Sequence, residues 1–197
     1  MPYRRTPRVQ ARLDSQRAKI LDTAIELLAE HGYAGCSMAA VASRAGVATG
    51  SVYRHFPGKA ELVVEVFREV VTREVAAVEA ASAEPGEHTD RILAVFDTFA
   101  TRALKAPRLA YALLAEPVDA PIEAERLVFR RAFRDVVARR ITEGTSAGAL
   151  PHQDAEVTAA ALVGAAAEVL IGPLTENDAE SALPALRTFV QRALGGH

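Results

Sequence analysis

The alternation of apolar and polar positions along this chain has the period of helices almost throughout. From Asp14 to His31, Ile20, Ala24, Leu27 and Leu28 fall at the spacing of one buried helical face, and Gly32 supplies a stop. After the link YAGC, Ser37 is placed to cap a second helix, on which Met38, Val41, Ala42 and Ala45 form one stripe. Gly46 ends that helix and Val47 points inward. A third short helix over Ala48 to His55 precedes Phe56, Pro57 and Gly58, where a Phe-Pro bond disfavours continuation. A long fourth helix from Lys59 to Ser82 carries Leu62, Val63, Val66, Phe67, Val70 and Val71 on its apolar side. Further helices are expected over Asp90–Lys105, Arg108–Ala115, Pro121–Glu143, Asp154–Ile171 and Ala179–Leu194. The breakers EPGEHT, Pro107, EPVDAP, GTSAGALP and GPLTEN separate them. No stretch alternates in the manner of a strand, so the expected fold is all-α.

Composition agrees with a well-packed helical protein: half of the 197 residues are hydrophobic and none is Trp. The formal net charge of -2 conceals an asymmetry. Residues 1–60 hold nine Lys/Arg against four Asp/Glu, net +5, whereas the rest hold fourteen against twenty-one, net -7. A basic end suits a polyanion such as DNA, and an acidic remainder suits solvent, another subunit or a ligand. Cys36 is the single cysteine, which excludes an internal disulfide and a cysteine metal cage and fits a reducing, cytoplasmic setting. The basic start MPYRRTPRVQAR is not followed by an apolar core, so it does not read as a secretory signal. The longest unbroken apolar run, Ala159 to Ala167, is short for a membrane span and ends at Glu168, so no membrane partner is expected. The histidines at 31, 55, 88, 152 and 197 show no metal-binding spacing, and GVATGS lacks the lysine of a phosphate loop. No catalytic residue, metal site or cofactor is expected.

Two short helices joined by a Gly-containing turn and braced by a preceding helix make a tri-helical helix-turn-helix, whose last helix enters the major groove of DNA. That helix, TGSVYRH, has Val52 as its one large aliphatic anchor, and hydroxyls, an imidazole and a guanidinium cover the remainder. The segment SMAAVASRAGVATGSVYRHFPGKAEL, residues 37–62, resembles the signature of the TetR (tetracycline repressor) family, and ILDTAIELLAEHGYAGCSM, residues 20–38, extends the likeness through the first helix. The resemblance covers about a quarter of the chain. It implies a DNA-binding domain over residues 1–56 and a larger helical regulatory domain, ligand-binding and dimerising, over residues 57–197. It implies phosphate contacts from Ser37, Ser51, Tyr53, His55 and Lys59, and base-edge contacts from Thr49 with Ala39 or Ala48. Arg44 either joins the phosphate contacts or solvates the exposed face of its helix. Arg4, Arg5, Arg8 and Arg12 read equally well as a minor-groove arm and as a loose basic tail. Repression of transcription from a palindromic double-stranded operator, bound as a homodimer and released by a small, largely apolar effector, is what the resemblance implies.

Beyond the motif the reading rests on helix faces. AAALVGAAA, residues 159–167, is apolar all round, which a helix tolerates when it is buried by its own core and by a partner, so the last two helices are expected to form a four-helix dimer interface. An effector pocket is expected between the fourth helix and the three that follow, lined by Phe96, Phe99, Tyr111, Phe129 and Phe133. Arg126 shares the stripe of Ile122, Phe129, Phe133 and Val136, and Glu168 is the sole charge between Val157 and Ile171. Both are expected to be partly buried and to polarise that pocket, paired with each other, with Glu116 or Asp119, or with a charged ligand group. The rival reading has Arg126 snorkelling to solvent and Glu168 at the rim of the dimer seam.

Overall fold

The computed structural model describes residues 6–176 and 182–195, and every described element is an α-helix. In chain order these are α1 (Pro7–Gly35), α2 (Met38–Ala45), α3 (Thr49–His55), α4 (Lys59–Ala83), α5 (His88–Lys105), α6 (Pro107–Leu114), α7 (Ala120–Ser146), α8 (Ala155–Glu176) and α9 (Ala182–Ala193). The local signals act as the sequence implies. Ser37 Oγ accepts from the Ala40 amide at 3.1 Å, and Gly46 closes α2 in the left-handed conformation, φ 65°. Gly32, φ 66° and ψ -172°, breaks the helical path of α1 just after His31.

Two boundaries differ from the expectation by more than a turn, and a third cannot be compared. α1 begins a full two turns before Asp14, because Thr6 caps it and Pro7 occupies its first turn, where a missing N–H costs nothing. Arg8 and Arg12 therefore lie exposed on the first turns of a helix; Arg4 and Arg5 fall outside the described residues. α8 runs past Ile171 and through Pro173 to Glu176, since a proline this near a C-terminus disturbs only the last turn. For the last helix, the expected start at Ala179 lies outside the described residues.

Two hydrophobic cores organise the molecule. The first joins α1, α2, α3 and the N-terminal half of α4 through Ile20, Leu28, Val41, Val52, Phe56 and Phe67, and two side chains from further along, Leu113 of α6 and Ile122 of α7, complete it. The second lies among the remainder of α4 and α5 to α9, and its centre is Phe96, Phe99, Phe129 and Phe133 with Leu162, Leu170 and Val190. α4 packs on α5 and α7, α7 packs on α8, and α6 lies against both α1 and α8. The end of α6 and the start of α7 are thus shared between the two cores.

By length and mean hydropathy α8 is able to cross a membrane over Ala155–Thr175, although it has no long unbroken apolar run. Its buried side, Ala159, Leu162, Ala166 and Leu170, belongs to the second core. Its other side exposes Val157, Ala161, Gly164 and Val169, so the helix is not enclosed all round within one chain.

Candidate functional site

α3 is held by one buried side chain, Val52, and presents the rest of its surface. Thr49, Gly50 and Arg54 are exposed, Ser51 is half-buried, and Tyr53 is 50% exposed with its phenol outward. Ser37, Ala39, Arg44 and Ala48 are exposed on the neighbouring α2 and turn. His55 and Arg54 both reach Gln16 of α1: His55 Nε2 lies 3.0 Å from Gln16 Oε1, and an Arg54 N–H donates to the same oxygen at 3.1 Å. Burial, followed by Arg54 and Arg17, depresses the His55 pKa, so its imidazole is held neutral while it braces α3 on α1. Arg44 is engaged as well, in an ion pair of 2.6 Å with Glu30.

Lys59 is placed differently from the free ammonium that the motif implies. Its Nζ donates to the Tyr33 carbonyl at 2.6 Å and sits 3.8 Å from the centre of the Tyr33 ring. Tyr33 is the residue that periodicity overlooks, because it lies in the link after the Gly32 break and two of its partners are more than eighty positions away. Its amide donates to Glu116 Oε2 at 2.8 Å and its hydroxyl donates to Asp119, both in the connection between α6 and α7. Burial and the Asp119 carboxylate raise the Tyr33 pKa, so the phenol keeps its proton and stays a donor. A side chain at Gly32 would meet the Glu116 carboxylate at 3.1 Å, which together with the positive φ explains the glycine.

The same connection is locked from the other side by Arg126, which is 7% exposed. Its Nε donates to the Leu113 carbonyl at 2.9 Å, Nη2 donates to Ala112 at 3.2 Å and to the Glu116 carbonyl at 2.7 Å, and Nη1 pairs with Glu123. Arg126 is buried as expected, but its partners are the orphan carbonyls at the end of α6 rather than a pocket. The expected pairings with Glu168 and with the side chains of Glu116 or Asp119 are not made. Glu168 is exposed, because it falls on the outward face of α8 with Val157, Ala161 and Gly164. A helix apolar on every side gives no periodic sign of which face meets the core.

Phe99, Phe129 and Phe133 touch as a cluster, with ring centres 4.8 Å apart for Phe99–Phe133 and 5.5 Å for Phe129–Phe133. Small voids lie on both sides of it. One, of ≈ 50 Å³, is bounded by Val70, Leu113, Leu114 and Phe99 and reaches the Glu74–Arg102 ion pair. The other, of ≈ 20 Å³, is bounded by Phe96, Phe133, Val163 and Arg130. Phe96, Phe99, Phe129 and Phe133 thus line the expected region. Tyr111 does not: it faces an open cleft of ≈ 300 Å³ with His31, Arg108 and Glu116, against the end of α1. Cys36 is buried with its thiol pKa pushed up to about 11, a poor nucleophile. Among the described residues no cluster of His, Cys, Asp and Glu is arranged to hold a metal.

Residues 20–66 match the model of bacterial regulatory proteins, tetR family. Over 154 residues, 70% of this chain and 72% of the relative, the sequence is 27% identical to the HTH-type transcriptional repressor KstR2 of Mycobacterium tuberculosis. A transcriptional regulator of the TetR/AcrR family from Thermobifida fusca superposes with a TM-score of 0.69 at 25% identity, covering 93% of this chain and 98% of that one. FadR of Bacillus subtilis, solved in complex with stearoyl-CoA, superposes with a TM-score of 0.77 at 21% identity, covering 91% and 98%. The helix-turn-helix of α2 and α3, the match across it and the likeness of the whole helical body agree: residues 20–66 form a tetR-family DNA-binding region, and the chain as a whole resembles TetR-family transcription regulators.

Proposed function

We propose that the protein is a homodimeric repressor that grips a palindromic operator with α3 and lets go when a small, largely apolar molecule enters its second core. The observation that carries this reading is α3 itself, a seven-residue helix with Val52 as its one buried side chain and with Thr49, Ser51 and Tyr53 turned away from the core. Ser37, Ser51 and Tyr53 hydroxyls donate to phosphates, and Thr49 with Ala48 meets base edges in the major groove. Lys59 keeps N–H capacity beyond its bond to Tyr33 and turns it to a phosphate, while Arg44 does so on leaving Glu30. His55, bound to Gln16, positions α3. The DNA-binding unit is residues 1–56 and the regulatory unit residues 57–197, with the first half of α4, Leu113 and Ile122 serving the core of the former.

The outward faces of α8 and α9, with Val157, Gly164, Val169 and Phe189 exposed, form the dimer seam. The two α3 helices then stand about 34–36 Å apart or a multiple of it. Phe96, Phe99, Phe129 and Phe133 line the effector site, and the stearoyl-CoA complex of the Bacillus subtilis neighbour is one precedent for a ligand of such a fold. Displacing Leu113 and Leu114 shifts the carbonyls that Arg126 holds, and with them Glu116 and its grip on Tyr33. The reading is of a non-catalytic cytoplasmic regulator. An electrophoretic shift on DNA flanking its own gene, repeated with a panel of small apolar compounds, tests it: a shift that one of them reverses supports the reading, and no shift with the folded dimer rejects it.

A further inference from the structure

The two voids beside the phenylalanine cluster end in opposite electrostatic settings. The ≈ 50 Å³ void, among α4, α5 and α6, ends at Glu74 and Arg102, which neutralise each other through two hydrogen bonds of 2.6 and 2.8 Å. The ≈ 20 Å³ void, between α7 and α8, is apolar except for Arg130 at its rim. Arg131 and Arg134 follow on the same helix, and spacings of four and three residues place Arg134 beside both Arg130 and Arg131. None of them makes an ion pair or a side-chain hydrogen bond among the described residues. The arginines before and after them on α7 all do: Arg126 with Glu123, Arg139 with Glu79, and Arg140 with Glu143. The Nε of Arg134 is moreover buried without any hydrogen-bond partner, although burial of such a donor is unfavourable unless something accepts from it. The charge of Arg130 also reaches the interior, where it helps to depress the Arg126 pKa after burial has done most of it.

The voids are far below the roughly 300–1,000 Å³ of ligand pockets. Phe99 and Phe129 border both of them, as does Leu114, so these three side chains are the partition that an occupant must part. Two small apolar voids divided by three side chains suit a narrow chain rather than a disc. With unneutralised cations at one end and a closed ion pair at the other, the chain has a direction.

We propose that the effector is an amphipathic anion, an acyl chain with a carboxylate or phosphate-bearing head: the head rests on Arg130, Arg131 and Arg134 at the α7–α8 rim, and the chain passes Phe99 toward the space among α4, α5 and α6. This rests on the reading of the second core as the effector site and adds the class of molecule and its orientation. The head accepts from the buried Arg134 Nε and from Arg130. The chain parts Phe99 and Phe129 from Leu114, whose neighbour Leu113 closes the DNA-binding core and gives its carbonyl to Arg126.

The test is isothermal titration of the intact protein with dodecanoate, dodecanoyl-CoA, CoA alone and dodecanol. The parent is compared with Arg130→Gln/Arg131→Gln, with Arg134→Gln, and with Arg73→Gln as a surface-charge control. A hydrogen bond to a charged group is worth enough that removing one weakens binding about tenfold or more. The proposal expects that loss for dodecanoate or dodecanoyl-CoA in both α7 variants, with dodecanol bound equally by parent and variants and Arg73→Gln unchanged. Whichever acyl compound binds more tightly tells whether the head is a carboxylate or a phosphate. Equal affinity of parent and α7 variants for both acyl compounds overturns the head-group site, as does CoA alone binding as tightly as its acyl ester. If dodecanol still binds in either case, the apolar effector site stands without it. If neither dodecanol nor any acyl compound binds, the effector-site reading falls as well.

Discussion

The DNA-binding head and the regulatory body bury apolar surface in different ways. The head packs mainly aliphatic side chains around Phe56 and Phe67, and its polar fastenings are specific and short: Ser37 on α2, Gln16 under α3, Lys59 on Tyr33. The body instead centres on three phenylalanine rings in edge contact, with space on either side of them. A close-packed interior resists small displacements, whereas flat rings beside voids can turn at little cost. The contrast fits the proposed division of labour, in which the head carries a fixed surface and the body has room to open. The connection between α6 and α7 joins the two, because Leu113 and Ile122 belong to the head's core while Arg126 and Glu116 fasten the chain between them.

The largest effect expected is at the centre of the body. Phe99→Ala removes the partition between the voids and costs about 3–5 kcal/mol. Urea unfolding reads that loss, and titration with an apolar ligand should show tighter binding because the passage is already open; a weaker ligand affinity would mean that the rings are a plain core. Next is Arg126→Met, which strands three carbonyls at the end of α6 and costs about 3–5 kcal/mol, nearer the lower limit because Glu123 is half exposed and needs no partner. Hydrogen exchange should place the resulting loss of protection at α6 and at the α1 end around Tyr33, the two sides of the connection. Protection lost at α3 alone would contradict the shared connection.

Gly32→Ala is smaller, about 1–3 kcal/mol, because φ 66° with ψ -172° lies in a region that glycine alone adopts without strain. The added methyl also presses on the Glu116 carboxylate, so the variant should lose effector response as well as stability. The smallest effect is a pH dependence confined to the head. The folded state depresses the His55 pKa, so the contribution of its neutral ring is full above the unfolded value of about 6.5 and is lost as pH falls below it. His55→Gln should remove that component of the stability–pH curve measured by thermal unfolding between pH 7 and pH 5. A curve of the same shape would show that the ring is indifferent to its surroundings.

The head could be read from the chain because its signals are local. Ser37 before a stripe, Gly46 after it, and Gly32 and Phe56-Pro57 as stops each act within a few residues, and the structure uses each of them. The connection could not be read so, since Tyr33 meets Glu116 across 83 positions and Arg126 is satisfied by main-chain carbonyls that no side-chain pattern reveals. Arg126 was nonetheless legible as buried from its place on the Phe129–Phe133 stripe. Glu168 misled for the opposite reason: α8 is apolar on every face, so a charge within it marks no particular side, and the structure turns it outward. Arg130, Arg131 and Arg134 carry no signal of their own in the sequence; the pairing of their neighbours sets them apart.

The central claim is that α3 presents a DNA-reading surface, and fluorescence anisotropy tests it most directly. DNA flanking the gene is titrated with the parent and with Ser51→Ala/Tyr53→Phe over a series of salt concentrations, after circular dichroism has shown both to be folded. The account predicts parent binding that weakens steeply with salt, and a double variant weaker by about a hundredfold, as two lost phosphate hydrogen bonds require. Equal affinity of the two folded proteins across the salt series would contradict it.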